Sequence, residues 1–338
     1  MSKMKISKAV ATMAIPSVIS SLVTVVYNMA DTFFVGQTGD PLQVAAVSLT
    51  NPIFILFMAF ANMFGMGGSA TASIAMGEKN EKRMKNVSAF ITYASLITGI
   101  FFAVILLLRA KPILQIFGAD KQTYDLAYGY LFHISYGAPF VIWSAAASFV
   151  VRAEGASKEA MIGSMIGTIV NIILDPIMIN GLHMGAAGAA IATTIGNILA
   201  SLYYAWYFIK KSKCFSIHPG YFKYKDKILT TVCSSGFPTA IFSVLMSVST
   251  IVLNQILVVY GNAPVAAIGI VFKANMFITF LQMGLANEVL LIPLLYLLNA
   301  VDGVIYGQAL TDYIAVILST IIWKQYQNSI TKEKDSVK

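Results

Sequence analysis

The run Asn171-Ile-Ile-Leu-Asp175-Pro176, set inside an apolar stretch from Gly163 to Asn197, decides how this chain is read. The stretch is apolar enough to span a bilayer, yet Asn171 and Asp175 lie four residues apart and so project from one helical face. A carboxylate at that depth is costly unless it is paired, solvated or bound to a cation, which makes it a functional candidate by default. Pro176 lacks the amide that would bond back to the Ile172 carbonyl, so a kink in the helix is expected there, with a carbonyl left free beside the carboxylate.

Outward from this run, the composition keeps the same character. Hydrophobic residues make up 57% of the 338 and charged residues only 11%, where a soluble protein carries about 25% charged residues. The apolar runs are continuous over about 20 residues, as helical spans require, and not the alternating strands of about 10 that build a barrel. The fold class is therefore an all-α polytopic membrane protein. Spans are expected near 10–35, 44–76, 87–108, 124–150, 160–181, 187–209, 228–259, 265–286 and 303–323, with an apolar run at 289–300 too short to cross alone. Cys214, Cys233 and three isolated histidines show no ligand spacing, so no metal centre, redox chemistry or organic cofactor is expected. No glycine loop with a following lysine cradles phosphate, and the chain does not read as an enzyme. Lys3, Lys5 and Lys8 pass straight into the first span without a cleavage site, so that span is expected to persist.

The cations set the orientation. Most of the 23 Lys and Arg residues fall on alternate connections, at Lys3 to Lys8, Lys79 to Lys85, Arg152 to Lys158, Lys210 to Lys227 and Lys324 to Lys338. This places those connections and both termini in the cytoplasm, with a multi-pass chain in a bacterial-type cytoplasmic membrane. Arg109, Lys111 and Lys121 are the exceptions. The net charge of +8 then signals topology and contact with anionic lipid, not nucleic-acid binding. The sequence does not specify an oligomer.

Domains follow from the linker and from a repeat. Residues 1–209 read as an N-terminal lobe of six transmembrane helices, 210–227 as a basic cytoplasmic linker and hinge, 228–323 as a truncated C-terminal lobe of about three to four helices, and 324–338 as a cytoplasmic tail. Ile15-Pro16-Ser17 is echoed by Phe237-Pro238-Thr239, and Val44-Ala45-Ala46-Val47 by Val265-Ala266-Ala267-Ile268. The counterpart of Gly188-Ala189-Ala190-Ile191 at Gly303-Val304-Ile305-Tyr306 comes too early, so about 106 residues are missing from the second half near Asn287-Glu288.

Helical rise places Asp31, Asp175 and Thr193 each about 8–9 Å from the outer interface, with Asn171 a turn deeper. Three helices thus bring oxygen ligands to one level, where sodium or a proton could be held. The competing reading has Asp175 capping a kink, Asp31 bonding a neighbouring backbone and Thr193 making a helix contact. Lys273 and Asp312, with Gln308 one turn before it, form a second set near the midplane, read either as an ion pair or as a gating or substrate contact. Met58, Met63, Met66, Met161, Met165 and Met178 are candidates for lining an adaptable apolar cavity, and Gly65, Gly67, Gly68 and Ser69 mark close helix packing.

Asn28-Met-Ala-Asp31-Thr-Phe-Phe-Val-Gly36, Arg152-Ala-Glu-Gly155, Asn171 to Pro176 and Gly188 to Thr193 together resemble the multidrug and toxic compound extrusion (MATE) family, and more narrowly its bacterial MepA-like members. The segment Gly303 to Trp323 is similar to that type's last helix. The resemblance implies a two-lobe helical antiporter that expels organic cations or drugs in exchange for sodium or protons. It associates Asp31, Asn171, Asp175 and Thr193 with cation coupling, and it leaves the second lobe without counterparts of helices nine, ten and most of eleven. The alternatives are a non-transporting truncated remnant of such an antiporter, or a flippase of the same superfamily acting on a lipid-linked substrate.

Overall fold

Every apolar run marked between residues 41 and 258 forms a long helix. The computed structural model describes residues 30, 31, 33–222 and 227–272, with the isolated positions Pro16, Ile19 and Val23. Contacts divide the chain into a unit of residues 23–274 and a second unit made of 1–22 with 275–338, and the description below concerns the first. Residues 30, 31 and 33–36 are helical and lead into a turn.

Helix α1, Pro41–Gly77, begins where Asp40 accepts a hydrogen bond from the Leu42 amide at 2.9 Å and Pro41 fills a position whose amide would have no helical partner. Asn80 caps α2, Glu81–Leu108, through the Arg83 amide at 3.0 Å. The short α3, Ala110–Ile116, leads to α4, Tyr124–Ala153, then α5, Ser157–Asp175. A π-helical turn, Pro176–Gly181, is followed by α6, Gly185–Lys210, a 3₁₀ turn at Pro219–Tyr221, α7, Ile228–Val258, and the shorter α8, Asn262–Phe272. Six of these, α5 being counted with its π turn, are long and apolar enough to cross a membrane. Their bounds match the expected spans to within a few residues. The expected spans at 10–35, 265–286 and 303–323 lie largely or wholly outside the described residues.

The helices alternate in direction, as short connections between spans demand. At one end Ser88, near the start of α2, exchanges hydrogen bonds of 2.9 Å with the backbone of Ser216, while Glu154, after α4, accepts from Tyr207, near the end of α6. This end carries Lys79, Lys82, Arg83, Lys85, Lys158 and Lys210. At the other end Gln43 of α1 accepts from the Ala186 amide of α6 at 2.8 Å, and Asn262 donates to Asp120 at 3.0 Å.

Helix α4 is the axis of this unit, packed by α1, α2, α5 and α6. Phe57, Ile91, Leu131, Ile142 and Tyr204 are fully buried around it. The glycines of α1 serve packing as expected: a Cβ on Gly65 would lie 2.5 Å from the Phe149 ring, and one on Gly67 would overlap the Val232 carbonyl of α7. Gly236 meets the Met63 carbonyl in the same way, so α1 and α7 cross with their backbones in contact.

The linker is docked from Lys211 to Phe222. Glu154 receives four hydrogen bonds, from the Tyr207 and Ser212 hydroxyls at 2.7 and 2.9 Å and from the Lys213 and Cys214 amides at 3.0 and 3.1 Å. Tyr93 donates to the Ile217 carbonyl at 2.9 Å, Phe215 is buried, and the Phe222 ring stacks on Phe90 with centroids 6.3 Å apart. Burial of the Cys214 thiol and the negative charges of Glu154 and Glu81 push its pKa up.

Candidate functional site

The site is built on the seam between α5 and α6. A Cβ on Gly196 would stand 2.5 Å from the Gly167 carbonyl oxygen, and one on Gly167 would stand 3.0 Å from that of Gly196. Only glycine at both positions lets the two backbones approach this closely, and the approach brings Asn171, one turn beyond Gly167, against Thr193. The Asn171 amide orientation that satisfies all its partners puts the nitrogen 2.9 Å from Asp175 Oδ2. Its oxygen then accepts from the Thr193 hydroxyl at 3.2 Å and the Thr193 amide at 2.9 Å. All three residues are buried, Asp175 completely. The network is thus a carboxylate, an amide and a hydroxyl in one chain, held by two helices in contact.

The break at Pro176 takes a particular form. Instead of a simple kink, the chain winds into a π turn, closed by the Leu182 amide donating to the Ile177 carbonyl at 2.8 Å. Gly188 of α6 packs directly on Met178 and Ile179 of this turn. Ile179 joins Val35, Val47, Ala186 and Ala189 in a small buried apolar cluster. Asp31 precedes Val35 by four residues, Asp175 precedes Ile179 by four, and Thr193 follows Ala189 by four. Each polar group therefore sits about one turn from the same cluster, and Asp31 is itself buried at 9% exposure. The structure joins Asn171, Asp175 and Thr193 by hydrogen bonds and sets Asp31 one turn from the cluster they share. Lys273, Gln308 and Asp312 lie outside the described residues.

On the far side of Asn171 from Asp175, a cavity of about 230 Å³ opens between four helices. Helix α5 contributes Ser164, Gly167, Thr168 and Asn171, a stripe at three- and four-residue spacing. Helix α6 contributes Thr193, Asn197 and Tyr204, and α4 contributes Ser144, Ser148 and Arg152. Phe54 and Met58 of α1 form the apolar wall, so Met58 lines a cavity as expected, whereas Met66 is exposed. Ser144 donates to Asn197 at 3.0 Å, Asn197 donates to the Thr193 carbonyl at 2.9 Å, and Ser164 lies 3.1 Å from the Tyr204 hydroxyl. These polar groups continue the network away from Asn171. Sequence reasoning missed Ser144, Ser148, Asn197 and Tyr204 as site residues and read Arg152 only as part of a turn motif and a topology signal. Their signal was available in the i, i+4, i+8 spacing of Ser144, Ser148 and Arg152 on one face of an apolar helix.

Comparison with known proteins agrees with this architecture. The family model MatE matches residues 16–177. The chain is 33% identical over 320 residues to the multidrug export protein MepA of Staphylococcus saprophyticus, spanning 95% of this chain and 70% of that protein. It is 34% identical over 316 residues to MepA of Staphylococcus haemolyticus, spanning 94% and 69%. Among solved structures it resembles the MATE multidrug transporter DinF-BH, with a TM-score of 0.79 and 28% identity over 94% of this chain and 70% of that one. With helices of spanning length, an α5–α6 seam carrying a buried carboxylate, and these relatives matched over most of its length, the chain belongs to the MATE family of membrane transporters.

Proposed function

We propose that this chain is a multidrug efflux transporter that moves organic cations outward, coupled to sodium or protons held at Asp31, Asn171, Asp175 and Thr193. The observation that carries the reading is the buried Asp175–Asn171–Thr193 network at the edge of a cavity with a Phe54 and Met58 wall. Carboxylate, amide and hydroxyl oxygens are hard donors suited to sodium, and a buried carboxylate also suits proton carriage. Aromatic and thioether groups accept apolar cations of varied shape. The names of the staphylococcal relatives as multidrug export proteins support the same direction of transport. The cation-rich end of the helices faces the cytoplasm in this reading, as do both termini.

The test is ion-driven ethidium efflux from cells or vesicles carrying the protein. Asp175→Asn and Asp31→Asn should each abolish coupled efflux with the protein still in the membrane, and Thr193→Ala should do less, since it removes one neutral ligand. Full efflux in both Asp variants removes the site assignment.

A second reading, a non-transporting remnant, is favoured by one finding. The staphylococcal matches take up about 95% of this chain but about 70% of the relatives, so part of each relative has no counterpart in this chain. Purified monomer of the 338-residue chain in liposomes, tested for coupled flux, separates the two. Robust sodium- or proton-driven flux ends the remnant reading, and its absence from folded protein ends the transporter reading for the isolated chain.

A further inference from the structure

The carboxylate accounts for one end of the cavity only. The other end is lined by Arg152, half-buried in the last turn of α4 at the cation-rich end of the helices. The acids nearest in sequence are engaged elsewhere. Glu154 receives its four hydrogen bonds from Tyr207 and the linker, and Glu159 pairs with Lys211 at 2.9 Å and accepts from Tyr203. Asp175 belongs to the opposite end, about 16 Å along α5 from the level of Ser164 by helical rise. Among the described residues no carboxylate lies within ion-pair distance of Arg152, and its close neighbour is the Phe149 ring, 5.8 Å from Cζ to centroid.

Hydroxyls surround this end. Ser148, Ser164, Thr168 and Tyr204 line it together with Arg152. The Ser148 and Tyr204 hydroxyls donate to the Ala145 and Ala160 carbonyls at 2.7 and 2.8 Å and would have to turn to donate into the cavity, so the group here that receives a carboxylate or a small inorganic anion is the planar guanidinium. We propose that the Arg152 end of the cavity binds an anionic group, either the carboxylate of a zwitterionic solute or a free inorganic anion such as chloride. The cavity is then bipolar, with a cation held toward Asn171 and Asp175 and an anion toward Arg152. This rests on the reading that the acidic end holds cations. A volume of about 230 Å³ suits a compact solute.

The probes are 4-(trimethylammonio)benzoate, a zwitterion, its methyl ester, which keeps only the cation, and chloride exchanged for gluconate. Binding to the purified 338-residue protein is measured by calorimetry and by thermal shift, alongside Arg152→Gln and the charge-keeping Arg152→Lys. If the anion is a solute carboxylate, the zwitterion binds at least tenfold tighter than the ester, Arg152→Gln erases that difference, and Arg152→Lys retains part of it. If the anion is free, chloride raises the melting temperature and tightens ester binding in the parent protein and in Arg152→Lys, but not in Arg152→Gln. Equal binding of zwitterion and ester with no chloride response in the parent protein overturns the proposal. So does a preference or chloride response that survives in folded Arg152→Gln. Should Arg152→Gln not fold, the comparison of zwitterion, ester and chloride on the parent protein and Arg152→Lys decides alone. Ester binding reports the acidic end separately: its retention with neither a zwitterion preference nor a chloride response sinks only the Arg152 site, and its insensitivity to Asp175→Asn sinks only the cation reading.

Discussion

Helices α4 and α7 are both apolar and long enough to span, yet 72% of an apolar 18-residue stretch of α4 is buried and only 17% of the corresponding stretch of α7. The more apolar of the two is the less buried. In a membrane this is the expected sense, because lipid tails accept large apolar side chains as readily as a protein interior does. Helix α4 reaches its central place through small and hydroxyl residues, with Gly137, Ala138, Ser144, Ala146, Ala147 and Ser148 all buried. Helix α7 turns the same kind of residue toward α1, its main partner among the described residues. Gly236, Ala240, Ser243, Ser247, Thr250 and Asn254, spaced by three or four residues, are buried, while Phe237, Phe242, Leu245 and Val252 face outward. Hydropathy therefore marks a span, and the spacing of small and polar residues marks which side of it meets protein.

The comparison breaks most severely at the α1–α7 seam. Gly236→Leu or Gly67→Leu places a branched side chain onto a backbone carbonyl and should cost more than the usual overpacking penalty of about 1–3 kcal/mol. The expected result is loss of the monodisperse peak in fluorescence size-exclusion chromatography. Phe242→Leu, on the outward face, should leave the peak and the melting temperature unchanged. If all three behave alike, small-residue packing does not hold α7. A smaller loss is expected from Gly196→Val in the α5–α6 seam, about 1–3 kcal/mol. Its mark is site-specific: ethidium or ester binding should fall further than the melting temperature predicts, because Thr193 moves off Asn171.

Glu154 tests the docked linker. Glu154→Gln weakens hydrogen bonds to a charged acceptor, each worth about 1.5–3 kcal/mol before the neutral amide recovers part of them. Glu154 raises the Cys214 pKa by its negative charge, in addition to burial, so its neutralisation should lower that pKa. The sign is checkable: the pH profile of maleimide labelling at Cys214 should move to lower pH, with faster labelling at neutral pH. An unmoved profile would mean that the linker is not held by Glu154. The smallest effect is expected at the surface pair of Arg83 and Glu78, 3.0 Å apart with the glutamate side chain half exposed. Arg83→Ala should change stability by about 0.2–1 kcal/mol, measured by thermal unfolding, and less in high salt.

Chemistry carried by a contiguous run was legible in the sequence. The six described spans, the break at Pro176, the glycine packing of α1 and the four-residue pairing of Asn171 with Asp175 all depend on spacing along one helix, which the 3.6-residue period converts into geometry. Contacts between helices were less legible, because a helix surface does not state its partner or its rotation. The expectation that Asp31, Asp175 and Thr193 share a level rested on counting from the helix ends. Only the fold shows that the Gly167–Gly196 approach sets Asn171 beside Thr193 and that the linker docks on Glu154 and Ser88. The cavity was out of reach for the same reason. Arg152 read as one more cation of the inner face until tertiary packing set Ser148, Ser164 and Tyr204 around it and engaged Glu154 and Glu159 with other partners. Periodicity and hydropathy are one-dimensional and determined the helices. The charge left at the inner end of the cavity depends on which side chains from different helices find each other, and only the tertiary structure decided that.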